Sequence, residues 1–174
     1  YRESELSLSH INELGVNNIF IATGSSWRSD GIGRSQRKGI AGLENIRVLT
    51  PTEAIRNQSS IEEPIVIYDD EQGYLAGVIA DHMSAQSRAI TFVTPASVVS
   101  PWTESTLEQK RVQKALLNQA VKIIPNKIIS HASGDNVEAR CLYTNEATEI
   151  ACKTLVLVTE RQPNNMLYKQ LIAQ

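Results

Sequence analysis

65-IVIYDDEQGYLAGVIADHMSAQSRAITFVTP-95 reads as one continuous folding unit. Residues 65–68 form an apolar strand, 74–86 an amphipathic helix and 89–95 a second strand. That is the β-α-β spacing of a parallel sheet with a right-handed crossover. In a strand-turn-helix that binds a dinucleotide, three glycines allow the tight turn and let a pyrophosphate approach bare backbone at the positive end of the helix. Here the turn is Tyr68-Asp69-Asp70-Glu71-Gln72-Gly73-Tyr74, with one glycine and three carboxylates. Two like charges about 4 Å apart repel by roughly 4 kcal/mol at an effective dielectric of 20, so these acids oppose an anionic ligand. Without a ligand they suit a helix start, where a carboxylate caps free N–H groups for about 0.5–2 kcal/mol. The second strand ends Val93-Thr94-Pro95, with no acid for a ribose and no arginine for a ribose phosphate. A metal or a cationic ligand on Asp69, Asp70 and Glu71 is the alternative use of the same acids.

Working outward, the spacing of Leu6, Ile11 and Leu14 before Gly15 predicts a helix over 5–15, and 18-NIFIATG-24 predicts a short buried strand. The Gly-, Ser- and Arg-rich segment 25–46 is expected as a long ordered loop of functional or interdomain kind. A short strand follows at 47–50, then a helix capped by Thr50 with Pro51 at its first position, and a turn-like boundary at 59–64. Beyond the central unit, 103–120 carries a capping-box-like start and one apolar side, which predicts a single helix. Strands are expected at 121–125, 127–132, 137–144 and 148–159, with turns at Ser133-Gly134-Asp135-Asn136 and Asn145-Glu146, and a last helix at 164–173. The fold class is therefore α/β: a Rossmann-like parallel sheet with a β-α-β unit plus a β-meander.

The 174 residues suffice for one domain with a core, or for two small lobes. Seventeen basic against nineteen acidic side chains give a net charge of −2, which supplies no field for nucleic acid or an anionic membrane. No apolar run approaches the roughly 20 residues of a membrane span, and 1-YRESELSLSH-10 lacks the pattern of a signal peptide. A cytoplasmic location is expected. The opening Tyr1-Arg2-Glu3, without a methionine, reads as the middle of a longer polypeptide. Cys141 and Cys152 fall in two strands without metal-ligand spacing and are expected as buried thiols. His10, His82 and His131 are scattered, and no nucleophile elbow, phosphate-binding loop or Cys-x-x-Cys is present. The charge run 108-EQKRVQK-114 is the wet side of its helix and the first place to look for a protein contact.

The segments 21-IATGSSWRSDGIGR-34, 49-LTP-51, 66-VIYDDEQGYLAG-77, 102-WTESTLEQKRVQ-113 and 155-LVLVTERQPN-164 together resemble the C-terminal, nucleotide-binding-like region of the NADH:flavin oxidoreductase family. Within it they look most like the branch of trimethylamine, dimethylamine and histamine dehydrogenases. The resemblance implies a large enzyme whose N-terminal (β/α)8 barrel carries FMN and a four-iron cluster, followed by two dinucleotide folds similar to those of glutathione reductase. Residues 1–60 with 154–174 would be the remnant of the first, FAD/ADP-type domain, and 61–153 the second, NAD-type domain with a degenerate fingerprint. Thr23 and Gly24 match the turn near an adenosine moiety, Trp27 and Arg28 would either stack on or pair with a nucleotide or brace the interdomain loop, Gly73 is the one glycine of the turn, and Arg161 is the arginine of the final motif. Glu160 replaces the glycine often found before that arginine, which places a carboxylate near the path of a phosphate.

The expectation is thus a non-catalytic, structural module of an amine-dehydrogenase-like flavoenzyme, with ADP as the ligand the resemblance implies. No catalytic residue or metal ligand is assigned in this chain. Its partners would be the N-terminal barrel and an electron-transferring flavoprotein. An active NAD(P)H-binding reductase domain and a scaffold without a small ligand are the alternatives.

Overall fold

The computed structural model describes residues 5–56, 61–86 and 88–173. The chain runs α1 (Leu8–Leu14), β1 (Ser25–Trp27), β2 (Arg47–Leu49), α2 (Pro51–Arg56), β3 (Ile65–Asp69), α3 (Leu75–Ser84) and β4 (Ile90–Val93). It continues with α4 (Gln109–Asn118), β5 (Lys122–Ile124), β6 (Lys127–Ser133), β7 (Asn136–Cys141), β8 (Ala147–Ala151), β9 (Thr154–Val158), β10 (Arg161–Pro163) and α5 (Met166–Ile172). Two compact units result, Tyr1–Ser26 with Arg161–Gln174, and Trp27–Glu160.

In the larger unit a five-stranded parallel sheet has the order β2-β9-β3-β4-β5. Every residue of β3 and β9 is buried, because side chains alternate between two covered faces. Ile65 and Ile67 face one way, into Ala76, Ile79 and Met83 of α3 and Val112 and Leu116 of α4. Val66 and Tyr68 face the other way, into Ile129, Val137 and Ala139 of the antiparallel meander β6-β7-β8. The result is the expected Rossmann-like sheet, with helices on one side and the meander on the other.

Local signals hold where the chain satisfies them locally. Thr50 and Glu53 form a reciprocal cap, Glu53 N to Thr50 Oγ1 at 3.4 Å and Thr50 N to Glu53 Oε2 at 2.8 Å, ahead of Pro51. Gly15 closes α1 in the left-handed conformation. Three expectations are changed in the structure.

The run 148–159 is two strands in two sheets, since Cys152 N donates to Asp135 O at 2.7 Å and Lys153 N to Pro64 O at 2.8 Å, which carries the chain from the meander into the parallel sheet. The helix expected over 103–120 is a 3-10 turn at Pro101–Glu104 followed by α4, with Leu107 at φ 62 between them. Segment 18–24, expected as a short buried strand, has no strand partner among the described residues and is mostly exposed. The compact units divide at 26/27 and 160/161, with β2 and β9 both pairing inside the larger sheet. The boundary expected at 59–64 lies partly outside the described residues.

The loop after β1 is bound to the meander by backbone pairing: Ala41 bridges His131, and Ala132 N donates to Ala41 O at 2.8 Å. Gly42 follows with φ 78, and a Cβ there would lie 2.0 Å from the Ala132 carbonyl oxygen. Gly42→Ala is therefore expected to lower stability by about 2 kcal/mol or more, from left-handed strain plus a backbone clash. Urea denaturation of the two proteins checks this, and an unchanged midpoint would show that the loop is not pinned there.

Candidate functional site

Strand order reverses beside β3: β4 and β5 follow on one side, while β9 returns on the other. The carboxyl ends of strands at such a reversal are where open α/β sheets bind ligands. Asp70 N and Glu71 N both donate to Val158 O, at 2.9 and 3.0 Å, so the turn after β3 leaves the sheet at this point. The acids of that turn are not at the helix start. α3 begins at Leu75 with Tyr74 as its N-cap, no side chain caps it, and its first turn holds no acid. The expected capping role is thus corrected: the carboxyls are drawn inward by other N–H groups.

Asp69 is fully buried. Its Oδ1 accepts from Gln72 N at 2.8 Å, which holds Gln72 at φ 64. Its Oδ2 has no hydrogen-bond partner among the described residues. Burial pushes this carboxyl up to about 8, against the pull of the Gln72 N–H, with the charges of Glu71 and Asp70 adding to the rise. Asp69 is a neutral acid at pH 7.

Asp70 is also fully buried but well engaged. Ser35 N reaches its two oxygens at 3.0 and 2.9 Å, and Gln36 N reaches Oδ2 at 3.3 Å. Burial raises its pKa, and the Ser35 and Gln36 N–H groups and the Arg34 charge restrain that rise. The expected repulsion of a ligand by surface carboxylates therefore does not describe Asp69 or Asp70, which face the protein. Glu71 is half-buried and folded over Gly73, whose Cβ would lie 2.5 Å from Glu71 Oε2. Nearby, Trp102 N donates to Gln72 O at 3.3 Å, and the Arg34 guanidinium stacks 4.8 Å from the Trp102 ring centre. Among the described residues, no group of three or more His, Cys, Asp or Glu is placed to hold a metal ion.

The other candidate residues fall into two sets. In the larger unit, Trp27 packs against the helix-side core. Arg28 is engaged in a two-pronged ion pair with Asp30, Nε to Oδ1 at 2.9 Å with the second nitrogen on Oδ2, and this bond holds the Asp30 carboxyl below its usual range. In the smaller unit, Thr23 donates its hydroxyl to Asn164 O, while Asn164 returns a bond from Nδ2 to Thr23 O at 3.0 Å and from N to Gly24 O at 3.0 Å. Arg161 lies in β10, which pairs with β1. Thr23 also lines a cleft of about 770 Å³ with Ile19, Phe20, Pro163, Met166 and Lys169. Cys152 is buried and its thiol is pushed up to about 12, whereas Cys141 is half-buried at the end of β7, with hydrogen bonds from Thr144 holding its pKa below the usual value; both are free thiols. The sequence reading missed Gly33, Ser35 and Gln36 as partners of the acidic turn. Their one signal is the Gly-x-Gly spacing of Gly31 and Gly33 in an otherwise irregular loop.

The Asp69 carboxyl gives a pH dependence of known sign. It ionises near its ordinary 3.8 in the unfolded chain and at about 8 in the folded one. Unfolding therefore releases its proton between those values, so its contribution falls as pH rises through that window and levels off above 8. Asp69→Asn should remove this slope and be more stable than the parent at pH 8 by at least about 1.4 kcal/mol, the equivalent of one pKa unit. Urea midpoints of both proteins at pH 5, 6.5 and 8 check it; parallel profiles would place the Asp69 pKa near its ordinary value.

No family model matches the chain. Dimethylamine dehydrogenase of Hyphomicrobium sp. (strain x) is 23% identical over 193 residues, which cover 99% of this chain and 26% of that protein. Histamine dehydrogenase from Rhizobium sp. 4-9 superimposes with a TM-score of 0.86 at 31% identity, over 98% of this chain and 27% of the other. The 6-hydroxypseudooxynicotine amine oxidase HisD from Pseudomonas geniculata N1 gives 0.84 at 30%, over 99% and 26%. The chain thus spans about a quarter of the length of the relatives it matches. With the motifs, the fold and these likenesses in agreement, the chain is a homologue of the C-terminal, nucleotide-binding-like region of the NADH:flavin oxidoreductase family, in the branch of the dimethylamine and histamine dehydrogenases.

Proposed function

We propose that this chain is a non-catalytic, structural module of a longer amine-oxidising flavoenzyme, and that its larger unit is an NAD-type dinucleotide fold that has given up NAD(H). The observation that carries this reading is the reversal point of the sheet. There the turn after β3 holds Gln72 at positive φ where a glycine would serve, and two buried carboxyls engaged by the protein itself where a pyrophosphate needs open N–H groups. The smaller unit is the closing part of a first, FAD/ADP-type domain. ADP would be held there through Thr23, Gly24 and Arg161, with Trp27 and Arg28 at the start of the loop that follows. The cleft beside Thr23 supports this choice by its size, with apolar walls that carry the charged side chains Glu5 and Lys169.

The remaining three quarters of such a protein would supply the barrel with FMN and the four-iron cluster. Two free cysteines, one buried and one half-buried, do not fit that cluster, which takes four thiolates. FMN would accept a hydride from a small amine, and electrons would leave to an electron-transferring flavoprotein. Amine substrates are supported by the names of all three relatives.

Calorimetric titration of this chain with NADH and with ADP tests the reading, together with reduction of the longer flavoprotein by amine and by NADH. ADP bound without NADH, and flavin reduced by amine alone, is the expected outcome. Micromolar NADH binding would instead make the larger unit an active reductase domain, and binding of neither would favour a scaffold.

A further inference from the structure

The contact between Asp70 and the 33–36 turn joins residues 35 apart in sequence at the place where an open α/β sheet takes its ligand. Two successive N–H groups, those of Ser35 and Gln36, converge on one carboxylate. Successive N–H groups of this kind are a common way for a backbone to hold a phosphate. The surrounding side chains match an anion as well. Arg34 is stacked on Trp102 and acts on the Asp70 charge, and Arg37 pairs with Glu160 at 3.7 Å. Gly33 lets the backbone come this close, since a Cβ there would lie 2.2 Å from Asp70 Oδ2 and 2.9 Å from its Cγ. Gln36 is buried, its Oε1 without a partner among the described residues, and Gln72 Nε2 reaches Ser35 Oγ at 3.4 Å, so the turn is seated against the end of β3 rather than over it in solvent.

We infer that the 33–36 turn is an anion-binding turn whose ligand is the protein's own Asp70 carboxylate, and that this internal contact closes the reversal-point crevice by occupying it. The inference rests on the reading that the larger unit no longer takes NAD(H), and it replaces charge repulsion by occupancy as the reason. A carboxylate fixed to a strand stands in for the phosphate oxygens that such N–H groups would otherwise accept. Gly33, Ser35, Gln36 and Asp70 form one intramolecular ligand pair, and Arg34 is its flanking cation.

Inorganic pyrophosphate is the probe, titrated into the parent protein, Asp70→Ala and Asp70→Ala with Arg34→Gln. The parent should show no saturable binding, Asp70→Ala should bind at least tenfold more tightly than the parent, and the added Arg34→Gln should reverse most of that gain. Equal behaviour of the parent and Asp70→Ala would overturn the inference. A second variant avoids dependence on the folding of Asp70→Ala. Gly33→Ala keeps the carboxylate and pushes the turn off it, so amide exchange at Ser35 and Gln36 should accelerate at least tenfold while the β3 amides stay protected. Unchanged exchange at those two amides would equally overturn it. NADH bound by a parent whose Ser35 and Gln36 amides remain protected would sink both the reading of the larger unit and the claim that the contact closes the crevice, whereas a silent parent with unchanged variants would overturn the inference and leave that reading standing.

Discussion

A central strand covered on both faces must satisfy everything at its end from within. β3 lies between the helix layer and the meander, with every residue buried, and Asp69 and Asp70 follow one another where it leaves the sheet. Burying a carboxylate costs several kcal/mol unless hydrogen bonds replace water. The two acids meet that cost differently. Asp70 gains N–H groups from Ser35 and Gln36 and the nearby charge of Arg34. Asp69 has, among the described residues, the Gln72 N–H alone, and burial pushes its pKa up to about 8. Neighbouring residues with the same side chain thus meet different surroundings: Asp70 has the N–H groups of Ser35 and Gln36, and Asp69 that of Gln72.

That difference explains which parts of the fold were legible in the sequence. The β-α-β unit, the Thr50–Glu53 cap and the Gly15 stop depend on spacing within a few residues, and the structure contains all three. The joint at Cys152-Lys153 depends on Asp135 and Pro64, far away in the chain, so nothing in the apolar run 148–159 announces it. The break at Leu107 follows from Glu108 N turning back to Thr103 O at 3.0 Å, a choice that the capping-like residues Thr103–Thr106 could equally have made for a longer helix. Three acids before a helix look like caps because capping is the local use of an acid. Their inward direction is set by Ser35, Gln36 and the β9 carbonyl of Val158, none of which a window around 69–71 contains. The place of the acidic turn after β3 was therefore legible in the sequence, and the partners of its carboxyls were not.

The two units also differ in what they bury. Among the described residues of the smaller unit only Ile11 is buried, while Leu14, Phe20, Met166 and Ile172 are largely exposed. A unit of this size with so little core has almost no hydrophobic stabilisation of its own. Segment 18–24 is of the same kind, since its apolar run Ile19–Ala22 is largely exposed and no described strand pairs with it. This exposure accords with relatives about four times as long.

Occupancy and repulsion make different demands on a site that has given up its ligand. Repulsion needs carboxylates that stay ionised and face solvent, where salt screens them within about 10 Å. Occupancy needs only that an internal group reach the N–H groups first, and an internal group has the advantage in entropy. A free dinucleotide loses translational and rotational freedom on binding, an estimated 4–15 kcal/mol, whereas Asp70 is already fixed by β3 and by the Val158 contact. The close approach at Gly33 removes the remaining slack. One aspartate at the end of a buried strand, facing one glycine across the crevice, is then enough to close a dinucleotide site while leaving the sheet, the helices and the meander intact.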